Sequence, residues 1–304
     1  MSHVLILISA PDDPAIDDSL LARIADAAGA DATQAQILAP GKAAELPLRG
    51  GIDPADAARA AAEAHAGLPV DSVVLPAANR RKRLLLADMD STMIEIETLD
   101  TLAAELGLGD AIAEITRRSM NGELDFAAAL RERVAMLAGY PAEDAMQTVM
   151  DRVTYTPGGK VAVATMRAYG SYCALVSGGF TFTTETVYAE LGFHEHRANV
   201  LEVADGTLTG KVAEPIVARD TKLITVRELC IKQGVELEDA CTVGDGANDL
   251  KMLASAGLGI AFRAKPLVKS QARQSISTLG LDAVLYLIGY RQADLEAGPG
   301  ELGK

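Results

Sequence analysis

Tryptophan is absent from this chain of 304 residues, and aromatic residues make up only 4% of it. Platforms that stack bases or sugars are built from such rings, so neither ligand class is favoured. Positive charge is also short: 28 Lys and Arg stand against 42 Asp and Glu, a formal net charge of −14. That argues against nucleic acid as a partner, because such binding rests on cationic contacts to phosphate. A phosphorylated small molecule would have to be drawn in by local cations rather than by the global field. Cysteine is scarce as well. Cys173, Cys230 and Cys241 are odd in number and show no CxxC spacing, which indicates a reducing, cytoplasmic setting rather than a disulfide framework. No stretch of about 18 apolar residues occurs, so no membrane span is expected. No basic region precedes the first apolar run, so no signal peptide is expected. The chain also lacks GxxxxGK[ST], and Gly244-Asp245-Gly246 lacks the third glycine of a dinucleotide fingerprint.

What is present is a large apolar reserve, 49% of residues, enough for a sizeable core. Residues 1–80 form one unit. Apolar runs at His3–Ser9 and Val70–Leu75 predict strands, with a short alternating segment at Gln34–Leu38. Helical spacing covers Asp17–Ala28 and Pro54–Ala66. The resulting βαβ(β)αβ order fits a small α+β ferredoxin-like domain. A basic pentad, Asn79-Arg80-Arg81-Lys82-Arg83, reads as a solvated linker. From residue 81 to about 296 strands alternate with helices, which predicts an α/β Rossmann-like parallel sheet. Its strand candidates are Leu84–Ala87, Tyr172–Val176, Ala240–Val243 and Leu258–Ala261. Between about 97 and 167 strands vanish and helical patterns take over, an inserted cap over the sheet's carboxyl edge. Arg197–Val203 and Thr207–Val212, joined through Asp205-Gly206, predict a hairpin. Residues 297–304 read as a tail.

Four polar clusters end a strand or open a helix. Asp88-Met89-Asp90-Ser91-Thr92 follows the first core strand, and residues two apart on an extended chain share a side. Ser177-Gly178-Gly179 follows the second; a hydroxyl and two glycines can bring backbone N–H groups to a phosphate. Lys222 lies at the start of a helical pattern, where it could neutralise a dianion. Gly244-Asp245-Gly246-Ala247-Asn248-Asp249 follows the third strand and offers hard oxygens suited to Mg²⁺. Each cluster alone has a plain reading as a turn, a cap or a surface charge. A parallel sheet gathers all four at one edge, where α/β proteins bind ligands. One Asp can then attack phosphorus while the other handles a proton.

With these motifs the chain resembles the haloacid dehalogenase superfamily of phosphatases over roughly residues 83–290. The family's DxDx[TV] is met by Asp88–Thr92, its serine by Ser177, its lysine by Lys222, and its GDxxxD by Gly244–Asp249. More narrowly, the resemblance is to the phosphoserine-hydrolysing branch. It implies Asp88 as nucleophile, Asp90 as the group moving the proton, and Mg²⁺ held by Asp88, the Asp90 carbonyl and Asp245, with Asp249 in support. It implies Ser177, Gly178, Gly179, Lys222 and Asn248 at the phosphoryl group, Glu97 at the substrate ammonium, Arg133 at its carboxylate, and Phe126 closing over the site. The N-terminal unit resembles ACT-type regulatory domains in outline. Its alternatives are binding a free amino acid, burying a surface, or building a homodimer.

Two rival readings remain at this level. A phosphatase of the same core acting on another small phosphomonoester differs at Glu97 and Arg133. An amino-acid sensor with a degenerate core is opposed by the intact set of Asp88, Asp90, Lys222 and Asp245.

Overall fold

The computed structural model describes residues 2–10, 15–120 and 123–296. Its first unit runs β1 (His3–Ser9), α1 (Asp18–Ala28), β2 (Gln36–Ala39), β3 (Ala43–Pro47), α2 (Pro54–Ala64) and β4 (Val70–Pro76). The strands form an antiparallel sheet in the order β2-β3-β1-β4. Helix α1 begins where Asp17 accepts a hydrogen bond from the Leu20 N–H, and it ends at Gly29 in the left-handed region. Alternation along β1 divides its side chains between two cores. Leu5 and Leu7 pack with Leu20, Ile24 and Ala61 beneath the two helices. Val4, Ile6 and Ile8 face the other way and merge with the core of the larger unit, against Tyr286, Leu287 and Tyr290.

The larger unit is built on β5 (Leu84–Ala87). A helical excursion follows: α3 (Thr98–Glu105), α4 (Gly109–Met120), α5 (Phe126–Ala135) and α6 (Ala142–Met150). The chain returns through α7 (Gly159–Ala168), β6 (Tyr172–Phe180), α8 (Thr181–Leu191) and β7 (Glu195–Asn199). A hairpin of β8 (Leu201–Ala204) and β9 (Thr207–Val212) precedes α9 (Arg219–Gln233), β10 (Ala240–Gly244) and α10 (Leu250–Ser255). The described residues continue through β11 (Leu258–Phe262), α11 (Pro266–Gln271), β12 (Gln274–Ile276), α12 (Ala283–Leu287) and α13 (Gln292–Glu296). The six core strands are parallel in the order β12-β11-β10-β5-β6-β7. Every residue of β5 and β10 is buried, as both faces are covered: α7, α8 and α12 on one side, α9 and α10 on the other. Strand order reverses direction at β5, so the crevice of this sheet opens between β5 and β10.

The α/β class, the parallel sheet and the separate N-terminal antiparallel sheet agree with expectation. Three details differ. The stretch expected as one hairpin arm, Arg197–Val203, is split. Residues 195–199 join the parallel sheet, and only residues 201–204 pair with β9. The hairpin then packs with cap helices through Leu201, Leu208 and Val212, against Leu102, Leu130 and Val149. The basic pentad is only partly solvated: Asn79, Arg81 and Arg83 are exposed, yet several of its cations are tied to the protein. Arg80 pairs with Glu45 at 11% and 14% exposure and also donates to the carbonyls of Tyr286 and Leu287. Arg81 stacks 3.4 Å over the ring of Tyr290, and Lys82 donates to the Glu238 carbonyl. Its cations meet carbonyls at helix ends and a ring, which favour positive charge. Finally, short strands β3 and β12 and helix α7 carry no signal strong enough to be read from sequence. The tail expected at 297–304 lies outside the described residues. All three cysteines are free and buried, and no helix among the described residues is long and apolar enough to cross a membrane.

Candidate active site

Strand β5 delivers Asp88 to the crevice, where its backbone N–H bonds the Val243 carbonyl of β10. Asp88 is 4% exposed. One of its oxygens, Oδ1, accepts from the Met89 N–H at 2.7 Å and from Lys222 Nζ at 2.7 Å. Lys222 reaches this point from the first turn of α9, with no exposed surface. Its ammonium also donates to Asp249 Oδ1 at 2.6 Å. Asp249 in turn accepts from the Gly246 N–H at 3.0 Å. Asp249 crowds the end of β10: a Cβ at Gly244 would lie 2.4 Å from its Cγ, so only glycine allows that turn.

Carboxylate oxygens of Asp88, Asp245 and Asp249 lie within 4.8 Å of one another, all buried. Among the described residues this is the one such cluster. Lys222 is the one cation bonded to this cluster of three carboxylates among the described residues, and buried charge without compensation is costly. Hard oxygens in this number and spacing fit Mg²⁺. Burial pushes Asp245 up to about 6, helped by Asp249 and Glu97. Burial also pushes Asp88 well above the usual carboxylate range, with Asp249 adding to it and Lys222 opposing. For Lys222, burial alone would drive the pKa down; Asp249 and Asp88 outweigh it and hold the ammonium above its ordinary value.

Asp90 stands beside this cluster. Burial pushes its carboxyl to about 7, with Glu97 adding to the rise and the Thr98 hydroxyl, which donates to Asp90 Oδ1 at 2.5 Å, opposing it. A group poised near neutrality suits proton transfer in both directions. Opposite lies the turn at the end of β6. The Gly179 N–H donates to Ser177 Oγ at 2.8 Å, and a Cβ at Gly179 would lie 2.7 Å from Asp90 Oδ2.

Above these residues lies a cavity of about 850 Å³. Asp88, Asp90, Ser177, Gly178, Gly179, Asp245 and Asn248 form its floor; Glu97, Phe126 and Arg133 face it from the cap side. Lys222 and Asp249 sit beneath the floor, fully buried. All residues expected at a site are therefore brought together. Glu97 accepts from the Ser91 hydroxyl at 2.9 Å. Among the described residues, Arg133 is held only by a 3.3 Å bond to the Ala129 carbonyl. Burial lowers its pKa, and the negative charges of Asp100 and Glu97 raise it in turn. Phe126 leans on the turn: its Cζ would be 3.1 Å from a Cβ at Gly178.

Three residues escaped the sequence reading. Thr98 touches Asp90. Lys265 lines the cavity at the carboxyl end of β11 and pulls the Asp245 pKa down. Asn199 bonds the backbone of the Ser177 turn. Lys265 alone had a usable signal, since it follows a strand candidate in the same position as the other site clusters.

Sheet topology and the four clusters define a hydrolase class. The chain belongs to the haloacid dehalogenase-like hydrolases, whose family profile matches residues 85–254. It is 43% identical over 239 residues to phosphoserine phosphatase SerB2 of Mycobacterium tuberculosis, covering 79% of this chain and 58% of that one. The chain spans less than two thirds of the length of the curated phosphoserine phosphatases it matches first. Among solved structures, a haloacid dehalogenase family hydrolase from Salmonella enterica serovar Typhi superposes with a TM-score of 0.83 at 29% identity, covering 95% of this chain and 98% of that one. A phospho-aspartyl intermediate analogue of phosphoserine phosphatase superposes with a TM-score of 0.63 at 37% identity, covering 68% of this chain and 98% of that one.

Proposed function

We propose that the protein is a Mg²⁺-dependent phosphoserine phosphatase, hydrolysing O-phospho-L-serine to L-serine and phosphate. The observation that carries this reading is the convergence of Asp88, Lys222, Asp245 and Asp249 under a cavity faced by one carboxylate and one guanidinium. The phospho-aspartyl analogue, aligned over 98% of its length, supports the same chemistry for this core.

In the reaction, Asp88 attacks phosphorus in line and the bond to the serine oxygen breaks. Asp90 donates a proton to that leaving oxygen. In the second half Asp90 takes a proton from water, which attacks phosphorus and frees Asp88 with release of phosphate. Lys222 holds Asp88 in one orientation and sets positive charge beside the transferring group. Mg²⁺, held by Asp88, Asp245 and the Asp90 carbonyl with Asp249 in support, would neutralise charge on the phosphoryl oxygens. Positioning and electrostatics supply most of the acceleration. Ser177, the Gly178–Gly179 backbone and Asn248 bind the phosphoryl group. Glu97 meets the substrate ammonium. Arg133 takes the carboxylate, which a planar fork binds bidentately. Phe126 closes the cavity.

On this reading residues 1–80 are a fused ACT-like unit, residues 81–296 the catalytic unit, and about 97–167 its cap. The protein acts in the cytoplasm, and the N-terminal unit binds a free amino acid, buries a surface or builds a homodimer. The test is phosphate release from phosphoserine, phosphothreonine and p-nitrophenyl phosphate, with and without Mg²⁺. Phosphoserine is the preferred substrate, and Asp88→Asn loses turnover and takes up no label from ³²P-phosphoserine. A labelled Asp88→Asn variant, or turnover unchanged by chelation, removes the reading.

A further inference from the structure

Strand β6 does not run evenly beside β7. Its register shifts between Val176 and Phe180, so Ser177, Gly178 and Gly179 form a bulge without regular ladder partners. Bulges beside active sites re-aim backbone groups, but they leave polar atoms to be satisfied by other means. Here the means is a side chain. Asn199, at the end of β7 and 1% exposed, donates from Nδ2 to the Gly178 carbonyl at 2.8 Å. The same amide spans a second segment: Nδ2 lies 3.4 Å from the Val217 carbonyl, and Oδ1 accepts from the Val217 N–H at 2.7 Å. Val217 leads directly into α9, whose first turn carries Lys222.

We propose that Asn199 is a positioning residue that locks the Gly178–Gly179 peptide and ties it to the segment carrying Lys222. Its action passes through one peptide plane. In a planar trans peptide the N–H points opposite the carbonyl. Holding the Gly178 carbonyl therefore aims the Gly179 N–H at Ser177 Oγ, where it is found at 2.8 Å. Ser177 Oγ then accepts a bond from within the turn, and its own proton is left to point at a phosphoryl oxygen in the cavity. No other side chain of similar size replaces the amide. Gly178 offers only an acceptor and Val217 N–H only a donor, so the partner needs both functions. Aspartate would set a carboxylate oxygen against the Gly178 carbonyl. Leucine would leave both groups buried and unpaired, the costlier outcome for a hydrogen bond.

The inference rests on the phosphatase reading and is tested with the intact chain. In Asn199→Asp and Asn199→Leu, kcat falls on the order of 100-fold, the scale of a misplaced reacting geometry. The loss is equal for phosphoserine and p-nitrophenyl phosphate, because Asn199 acts on the phosphoryl end common to both. Inhibition by orthovanadate weakens in parallel. Folded variants with wild-type kcat and vanadate inhibition overturn the proposal, as does a loss confined to phosphoserine. A second measurement needs no variant: the Gly179 amide proton of the wild type exchanges slowly with solvent. Exchange at the rate of an open loop also overturns it. Wild-type protein that hydrolyses neither ester with Mg²⁺ sinks the phosphatase reading instead, and the Gly179 exchange still reports on the lock.

Discussion

The floor and the rim of the cavity are built by opposite means. Three charges at and beneath the floor are each fixed twice: Asp88 by Met89 and Lys222, Lys222 by Asp88 and Asp249, Asp249 by Lys222 and Gly246. Asp88 stands at the end of β5, Lys222 in the first turn of α9 and Asp249 just before α10. On the rim, Glu97 is exposed with one hydroxyl contact, and Arg133 has one long bond to its own helix. A fixed floor suits in-line displacement, which needs its partners set before the substrate arrives. On the proposed reading, a loosely held rim leaves the guanidinium able to take the carboxylate of the substrate. On the proposed reading, the contrast divides chemistry on the sheet from selection by the cap.

The sharpest way to break that division is to remove the cation under the floor. Lys222→Met leaves Asp88 and Asp249 buried, close and uncompensated, a change that costs about 3–5 kcal/mol for a broken buried pair. Turnover disappears for every phosphomonoester, and thermal unfolding shifts downward. A Lys222→Met variant as stable as wild type would mean that the buried carboxylates are neutral rather than paired.

Arg133→Ala probes the rim. A charge-assisted bond to a carboxylate contributes about 1.5–3 kcal/mol, so KM for phosphoserine rises on the order of 10–100-fold. p-Nitrophenyl phosphate carries no carboxylate, and its KM moves little. Parallel loss on both substrates would place Arg133 with the floor and dissolve the comparison.

The floor also responds to pH. Asp245 at about 6 and Asp90 at about 7 both lie above the ordinary carboxylate value. The folded, metal-free protein therefore holds protons that the unfolded chain has released. Their contribution to stability is complete below about pH 4 and is lost as pH rises through about 6 and then about 7. Metal binding requires the deprotonated forms. The increase in Tm on adding Mg²⁺ consequently grows from pH 5 to pH 8, by several degrees once the ion exceeds its Kd about 100-fold. Differential scanning fluorimetry across that range decides it, and an increment larger at pH 5 would refute it.

The floor was legible because it is written in short range. An apolar run ended by Asp88 or by Gly244-Asp245 announces both a strand and what stands at its end. Helix α1 was legible for the same reason, with Asp17 and Gly29 marking its two ends. What escaped notice depends on contacts distant in sequence. Asn199 reaches Gly178 across 21 positions, and nothing around residue 199 shows that a bulge needs its amide. The pentad reads as a hydrophilic linker until Arg80 is seen against carbonyls about 200 positions away. The strand running toward residue 203 looks continuous because departure from a sheet leaves no mark in alternating residues. Local chemistry could be read; the partners that orient it could not.

Lys265 tests whether the rim has a second function. It is exposed, and with Arg133 it supplies the cations that line a cavity also lined by Asp88, Asp90, Glu97, Asp100, Asp125 and Asp245. In a chain of net charge −14, a phosphate dianion approaches against the overall field, and a cation at the mouth offsets it locally. Exposed charges act weakly and are screened beyond a Debye length. Lys265→Ala therefore lowers kcat/KM by only about two- to fivefold at low salt, leaves kcat unchanged, and loses its effect as ionic strength rises. Lys265→Arg keeps the wild-type value, since charge and not shape is what the residue supplies. A kcat that falls with Lys265→Ala would move this lysine from the rim to the floor.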